Sequence, residues 1–260
     1  MSPSWRDRIR IALGPQRAAG VRIRRGFAPR VTARHAADSL EALLAQLGSG
    51  PADVSVVLSA ACVRYVLVPW SDALSNPEEE LAFARHRFAA VYGDVAERWE
   101  LRLSPARLGQ PRIASAVERA WLEHLRATVA EAGLRLRSVQ PGLMAACNRW
   151  RRKVGRDESV FLLAEGEHYS CAVARGGAWR AVRSDLLRGS LADELPSILD
   201  RECIWAELAE RPAVYAWAPE EPAFALPPGG SWRATMLRMP AEAGFSPLSD
   251  APYAMAMCAP

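Results

Sequence analysis

A glycine flanked by two glutamates and a histidine is the most chemically suggestive cluster in the sequence. It sits in FLLAEGEHYSCAVARGGAWRAVRS, residues 161–184, which reads as three short strands joined by turns at GEH and RGG. A strand–turn–strand of this kind can grip a phosphate through backbone N–H groups at its tip. This tip offers Gly166, Glu167 and His168, with Glu165 just before them; no Asp precedes it and no Ser/Thr-Gly run follows. Other chemistry has less support. Cys62, Cys147, Cys171, Cys203 and Cys258 are scattered and odd in number, so neither a disulfide framework nor a zinc site is signalled. His35, His86, His124 and His168 are equally dispersed, and no metal-ligand spacing appears. The sequence contains no G-x-S-x-G elbow, no Walker-type loop and no dinucleotide-binding glycine motif. The carboxylates of PEEE, residues 77–80, read as a helix N-terminus, where the dipole favours them, and GGS at 229–231 reads as a turn. No catalytic residue and no metal ligand is assigned.

Composition narrows the class. At 260 residues, the chain can form one large domain or two modest ones with real cores. Half of it is hydrophobic and 24% is charged, as in ordinary globular proteins. No apolar run approaches the about 20 residues that span a bilayer. The start, MSPSWRDRIRIALGPQR, is too interrupted for a signal peptide, so a cytoplasmic location is expected. The net charge of +4 is mild but uneven. Arg6, Arg8, Arg10, Arg17, Arg22, Arg24, Arg25, Arg30 and Arg34 share their region with Asp7 as an acid. Such a stretch can bind nucleic acid. In VRIRR, however, Val21 and Ile23 alternate with Arg22 and Arg24, as on a half-buried strand with a solvated face, and no interleaved aromatics offer base stacking.

The elements that must carry these residues follow from periodicity. Arg8–Leu13, Ala19–Arg24 and Arg30–His35 read as three strands in a meander. Asp38 can cap the helix SLEALLAQL, which stops at Gly48. Strands follow at Val54–Leu58 and Cys62–Val68. Asn76 caps a helix with Pro77 at its first position and Gly93 at its end; Leu81, Ala84, Phe88 and Val91 make its apolar face, with Phe83 off that face. Strands Trp99–Leu103 and Pro111–Val117 lead to a periodic helix from Glu118 to Ala132 through Trp121, Leu122, Leu125 and Val129, closed by Gly133. A strand ending in Pro141 and a helix from Leu143 to Val154 with a basic tail precede the second meander. A helix Asp193–Leu208, interrupted near Pro196, then strands Ala213–Trp217 and Trp232–Leu237, and a short closing helix in DAPYAMAM complete the chain. Both halves thus begin with three strands, a helix and a strand.

This duplicated order resembles the actin-like ATPase fold. Within it the chain is similar to the pilus-assembly and secretion group: PilM, MshI and the cytoplasmic part of GspL. The stretch EEELAFARHRFAAVYGDVAERWELRL resembles that group's inserted helix and strand. RIASAVERAWLEHLRATVAEAGLRLRSVQPGLMAACNRW resembles its strand–helix–Gly–strand–Pro block, with AEAGLRLRSVQP as the most specific part. The resemblance implies an α/β, duplicated actin-like (RNase H-like) architecture. A first half spans 1–141, with an inserted α+β block at about 62–117, and a second half spans 142–260. It also implies two phosphate-gripping hairpins. Active members carry an Asp-x-Gly turn whose glycine lets the backbone approach phosphate and whose Asp holds a metal through water. Here the first hairpin has Gly14, but Leu13 and Pro15 flank it and Gln16 follows; proline removes a donor. In the second, Glu165 and Gly166 remain, while Glu167 would repel a phosphate and His168 replaces a small residue. The adenosine-holding glycines are replaced by Ala218 and Pro219. The expectation is a pseudo-ATPase, not an enzyme, with no cofactor and no small-molecule substrate.

What such relatives bind is the short cytoplasmic tail of a bitopic inner-membrane assembly protein (a PilN-like tail), in a groove between the first half's core and its inserted block. Here CVRYVLVPW and EEELAFARHRF would line it, with Arg64, Tyr65, Trp70, Phe83, Arg85 and Arg87 as contacts. Trp70 lies outside any periodic element and is the best candidate for an exposed aromatic. The run NRWRRKVGRDE offers Arg149, Arg151, Arg152, Lys153 and Arg156 either to a helix C-terminus or, peripherally, to the anionic inner leaflet. Two alternatives stand beside the scaffold: an active ATPase or kinase of the same fold, and a nucleic-acid binder using the N-terminal arginines.

Overall fold

The computed structural model describes residues 6–74, 76–154, 157–208, 210–225 and 231–260. Strands β1 (Asp7–Leu13), β2 (Ala18–Arg24) and β3 (Arg30–Ala37) form an antiparallel meander. Helix α1 (Leu40–Gln46) follows, then β4 (Ala52–Leu58), parallel to β1. The inserted block comprises β5 (Arg64–Val68), α2 (Pro77–Tyr92), β6 (Trp99–Leu103) and β7 (Arg112–Glu118). Helix α3 (Arg119–Glu131) and β8 (Arg135–Pro141) close the first sheet, whose order is β3-β2-β1-β4-β8. After α4 (Gly142–Trp150) come β9 (Ser159–Glu165), β10 (His168–Arg175), β11 (Ala178–Leu186), α5 (Leu191–Trp205), β12 (Ala213–Trp217) and β13 (Ala234–Met236). Their sheet runs β11-β10-β9-β12-β13, the first sheet's order repeated, and the insertion forms its own antiparallel sheet, β5-β7-β6. The duplicated actin-like architecture expected from the sequence is present. Among the described residues no helix is long and apolar enough to cross a membrane.

Local chemistry explains the elements. The Asn76 side chain accepts from the N–H groups of Glu78 and Glu79, both at 3.0 Å, and starts α2. Gly166, at φ +55°, takes the first central position of the two-residue β9–β10 turn, where a side chain would be strained. The β10–β11 turn uses Gly176 and Gly177, both with positive φ, as a two-residue hairpin of primed type requires. Strand β9 is covered on both faces. Val160 and Leu162 meet the buried side of α5 (Leu191, Leu195, Ile198, Leu199), while Phe161 and Leu163 face a central core shared by the two halves. Trp150 fastens that core, with its ring 4.4 Å from Trp217 and 6.3 Å from Phe161.

The structure corrects several expectations. The α1 cap is Ser39, not Asp38, because its hydroxyl accepts from Ala42 N–H. Val91 is exposed, while Phe83 and Tyr92 pack against the insertion's core: the 3-10 helix at Gly93–Arg98 and β6 draw the apolar face round toward them. Pro196 lies inside an unbroken α5, held by its buried leucines. Arg22 is not on a solvated face. It is 9% exposed, pairs with Asp7 at 2.8 Å and donates to Gly48 carbonyl at 2.7 Å. The last stretch of the second half returns to the first: Leu237, Met239, Phe245, Met255, Met257 and Cys258 are buried in the core that holds Ile9, Ile11 and Val56.

Candidate functional site

The two hairpins predicted to be degenerate nucleotide loops do meet across a cleft between the halves. In the first, Gly14 N–H donates to Arg17 carbonyl at 2.9 Å, leaving Pro15 and Gln16 exposed at the tip. In the second, Glu167 is exposed and His168 half-buried. Glu165 shares a strand face with Phe161 and Leu163, so it points toward the first half. Its Oε2 accepts from Ala60 N–H at 3.0 Å. Burial raises the carboxyl to about 7; the Ala60 hydrogen bond opposes this, and the nearby Glu220 charge adds to it. Thus the carboxylate kept in the degenerate second loop ties β9 to the short turn after β4. Among the described residues no three His, Cys, Asp or Glu side chains cluster to hold a metal ion.

What remains of the cleft is small. Its volume is about 150 Å³, between Leu13, Gly14, Ser59, Glu165, Gly166 and Met255. Sites for drug-sized ligands usually exceed about 300 Å³. Arg17 and Glu220 pair across its mouth at 3.2 Å. From below, the C-terminal segment fills it. A Cβ on Gly142 would stand 2.6 Å from Met255 Cε and 2.8 Å from Leu58 carbonyl, so these segments are in tight contact. The segment is itself sewn to β3: Val31 N–H donates to Ala243 carbonyl at 2.9 Å, and Arg34 pairs with Asp250 at 3.2 Å. Neither tie had a sequence signal, since each joins residues more than 200 positions apart with no shared periodicity.

Four of the nine N-terminal arginines make contacts within the fold. Arg17, Arg22 and Arg34 pair with Glu220, Asp7 and Asp250, and Arg10 donates to Met257 carbonyl at 3.4 Å.

A second cleft, about 230 Å³, lies between the insertion and the first half. Of the predicted partner contacts it takes Arg64, alongside Cys62. Tyr65 is 5% exposed and belongs to the central core, so it cannot meet a partner at the surface. Trp70 is half-buried, with its indole N–H donating to Asp72 at 3.1 Å; among the described residues the exposed indole is Trp205, 67% exposed beneath the Arg183 guanidinium. Phe83 packs inward, Arg85 reaches Trp99 carbonyl at 3.5 Å, and Arg87 is exposed. Helix α2 supplies no wall of this cleft. Its walls come instead from Pro15, Trp99, Val117, Glu118 and Trp121. Trp99 and Trp121 are half-buried and were legible only as members of a strand and a helix; pairing β6 to β7 and running β7 straight into α3 brings them together. Of the basic run, Arg149 pairs with Glu242 at 3.1 Å, Arg151, Arg152 and Lys153 are exposed, and Arg156 lies outside the described residues.

No family model matches the chain, and no curated protein matches its sequence. Solved structures do. The cytoplasmic domain of EpsL, an inner membrane component of the type II secretion system of Vibrio cholerae, superposes with a TM-score of 0.62 at 13% identity, over 97% of this chain and 94% of that one. A chain of the PilM-PilN type IV pilus biogenesis complex gives 0.55 at 16% identity, over 81% and 80%. A Bacteroides thetaiotaomicron protein of unknown function with an actin-like ATPase fold gives 0.54 at 13% identity, over 82% and 81%. With its two sheets of identical strand order and its inserted three-stranded block, the chain has the actin-like ATPase fold.

Proposed function

We propose that this protein is a non-catalytic scaffold of the PilM and GspL kind, working on the cytoplasmic side of an inner membrane in a type IV pilus or type II secretion-like assembly. In this reading it holds the cytoplasmic tail of a bitopic, PilN-like membrane partner. The observation that carries the non-catalytic part is the filled cleft: Met255 against Gly142 and Glu165 on Ala60 N–H occupy the space between the hairpins. Likeness to the EpsL domain and the PilM-PilN complex supports the assembly role. The cleft of Arg64, Trp99 and Trp121 supports tail binding, since half-buried tryptophans beside one cation and one carboxylate suit a short amphipathic peptide.

Two measurements test the proposal. Titration with magnesium and ATP should give no heat of binding at millimolar nucleotide; micromolar affinity would overturn the non-catalytic reading. Purified protein incubated with detergent-extracted membranes should retain a bitopic pilus or secretion component, and Trp121→Ala should lose it. Recovery of no such protein, or equal recovery by the variant, would sink the tail-binding reading.

A further inference from the structure

Among the described residues the ion pairs take Arg17, Arg22, Arg34 and Arg149 of the clustered arginines, several exposed cations stay unpaired, and four of these share one cleft. Arg107 lies in the loop between β6 and β7; Arg151, Arg152 and Lys153 lie just past the end of α4. All four are exposed, and among the described residues none makes an ion pair or a side-chain hydrogen bond to an acid. They line one open cleft of about 1190 Å³, whose far wall is the glycine turn Gly176–Gly177 and whose one acid is Asp157. Four like charges held around a common space repel one another, and an anionic occupant would relieve that repulsion.

We propose that this cleft docks an acidic, extended polypeptide segment of a partner protein. Three features favour a peptide over other polyanions. The cations surround a concavity, which a strand of polypeptide can enter and a bilayer surface cannot follow. Among the described residues no aromatic side chain lines the cleft, so bases of a single-stranded nucleic acid would find no stacking platform. The wall at Gly176 and Gly177 has no side chains, leaving room for a backbone to lie close. The site is separate from the cleft of Trp99 and Trp121, so the inference does not depend on the tail-binding reading.

The test uses the full chain and a fluorescein-labelled Glu–Ser repeat peptide, followed by fluorescence anisotropy. A Gln–Ser peptide, a labelled oligothymidine and phosphatidylglycerol vesicles serve as comparison probes. Exposed ion pairs each contribute a few-fold, so changing Arg107, Arg151, Arg152 and Lys153 together to glutamine should weaken the acidic peptide about tenfold or more. A control with the exposed Arg24, Arg30, Arg188 and Arg233 changed to glutamine removes the same charge elsewhere and should bind as the unaltered protein does. Circular dichroism checks that both variants fold, as expected for surface changes. Absence of acidic-peptide binding at low salt overturns the proposal, as does equal weakening in the control. A cleft variant that loses vesicles or oligothymidine yet keeps the peptide overturns it as well, and assigns the cations to that other polyanion.

Discussion

Replacing Glu165 with glutamine should flatten the dependence of stability on pH. The folded carboxyl titrates at about 7 against an ordinary 4.5. A raised carboxyl means that the folded state holds a proton the unfolded chain has released, so stability falls as pH rises from about 4.5 to 7. At 1.36 kcal/mol per unit, the full cost above that window is about 3 kcal/mol, and at pH 5 it is about 1. Glutamine is neutral throughout and its carbonyl can still accept from Ala60 N–H. Any change in that hydrogen bond is the same at both pH values and cancels. Urea denaturation of both proteins at pH 5 and pH 8 should therefore show the variant gaining about 2 kcal/mol more at pH 8 than at pH 5. For a chain of this size that corresponds to a relative rise in Tm of about 4–8 °C. A stability difference between the two proteins that is equal at the two pH values would refute the reasoning. It would mean that water reaches the carboxylate and that the cleft is open.

Other substitutions probe the joints of the fold. Trp150→Ala should cost about 3–5 kcal/mol in denaturant titration, since it empties the space between Phe161 and Trp217 where the halves meet. Gly142→Ala should cost about 1–3 kcal/mol, because the methyl must displace Met255 and press on the Leu58 carbonyl. It should also speed proteolysis of the C-terminal segment. Arg22→Ala should cost about 2–3 kcal/mol at pH 7, read by thermal unfolding: Asp7 loses its partner and the Gly48 carbonyl loses its donor.

The sequence by itself determined the run of elements, because each is set by short-range chemistry. Asn76 before Pro77 and a run of glutamates signals a helix start, Gly133 ends a helix, and GEH and RGG turn one strand into the next. Two copies of meander, helix and strand in order are enough to define the duplicated sheets, and the departures at Pro15 and Glu167 are visible as letters. What only the tertiary structure decided are contacts between residues far apart in the chain. A strand pattern says which residues share a face, but not what covers it. Arg22 alternates like a surface residue and is buried because the loop at Gly48 folds over it. Phe83 and Val91 exchange roles because β6 approaches α2 from one side. Glu165 reads as part of a degenerate phosphate loop, and its face of β9 is turned to the first half, where Ala60 N–H meets it. Met255 carries no periodic signal at all, and it closes the cleft because the chain's last segment docks on a sheet whose strands were laid down some two hundred residues earlier. Burial against a distant segment depends on the whole arrangement of layers, which no local window of sequence contains.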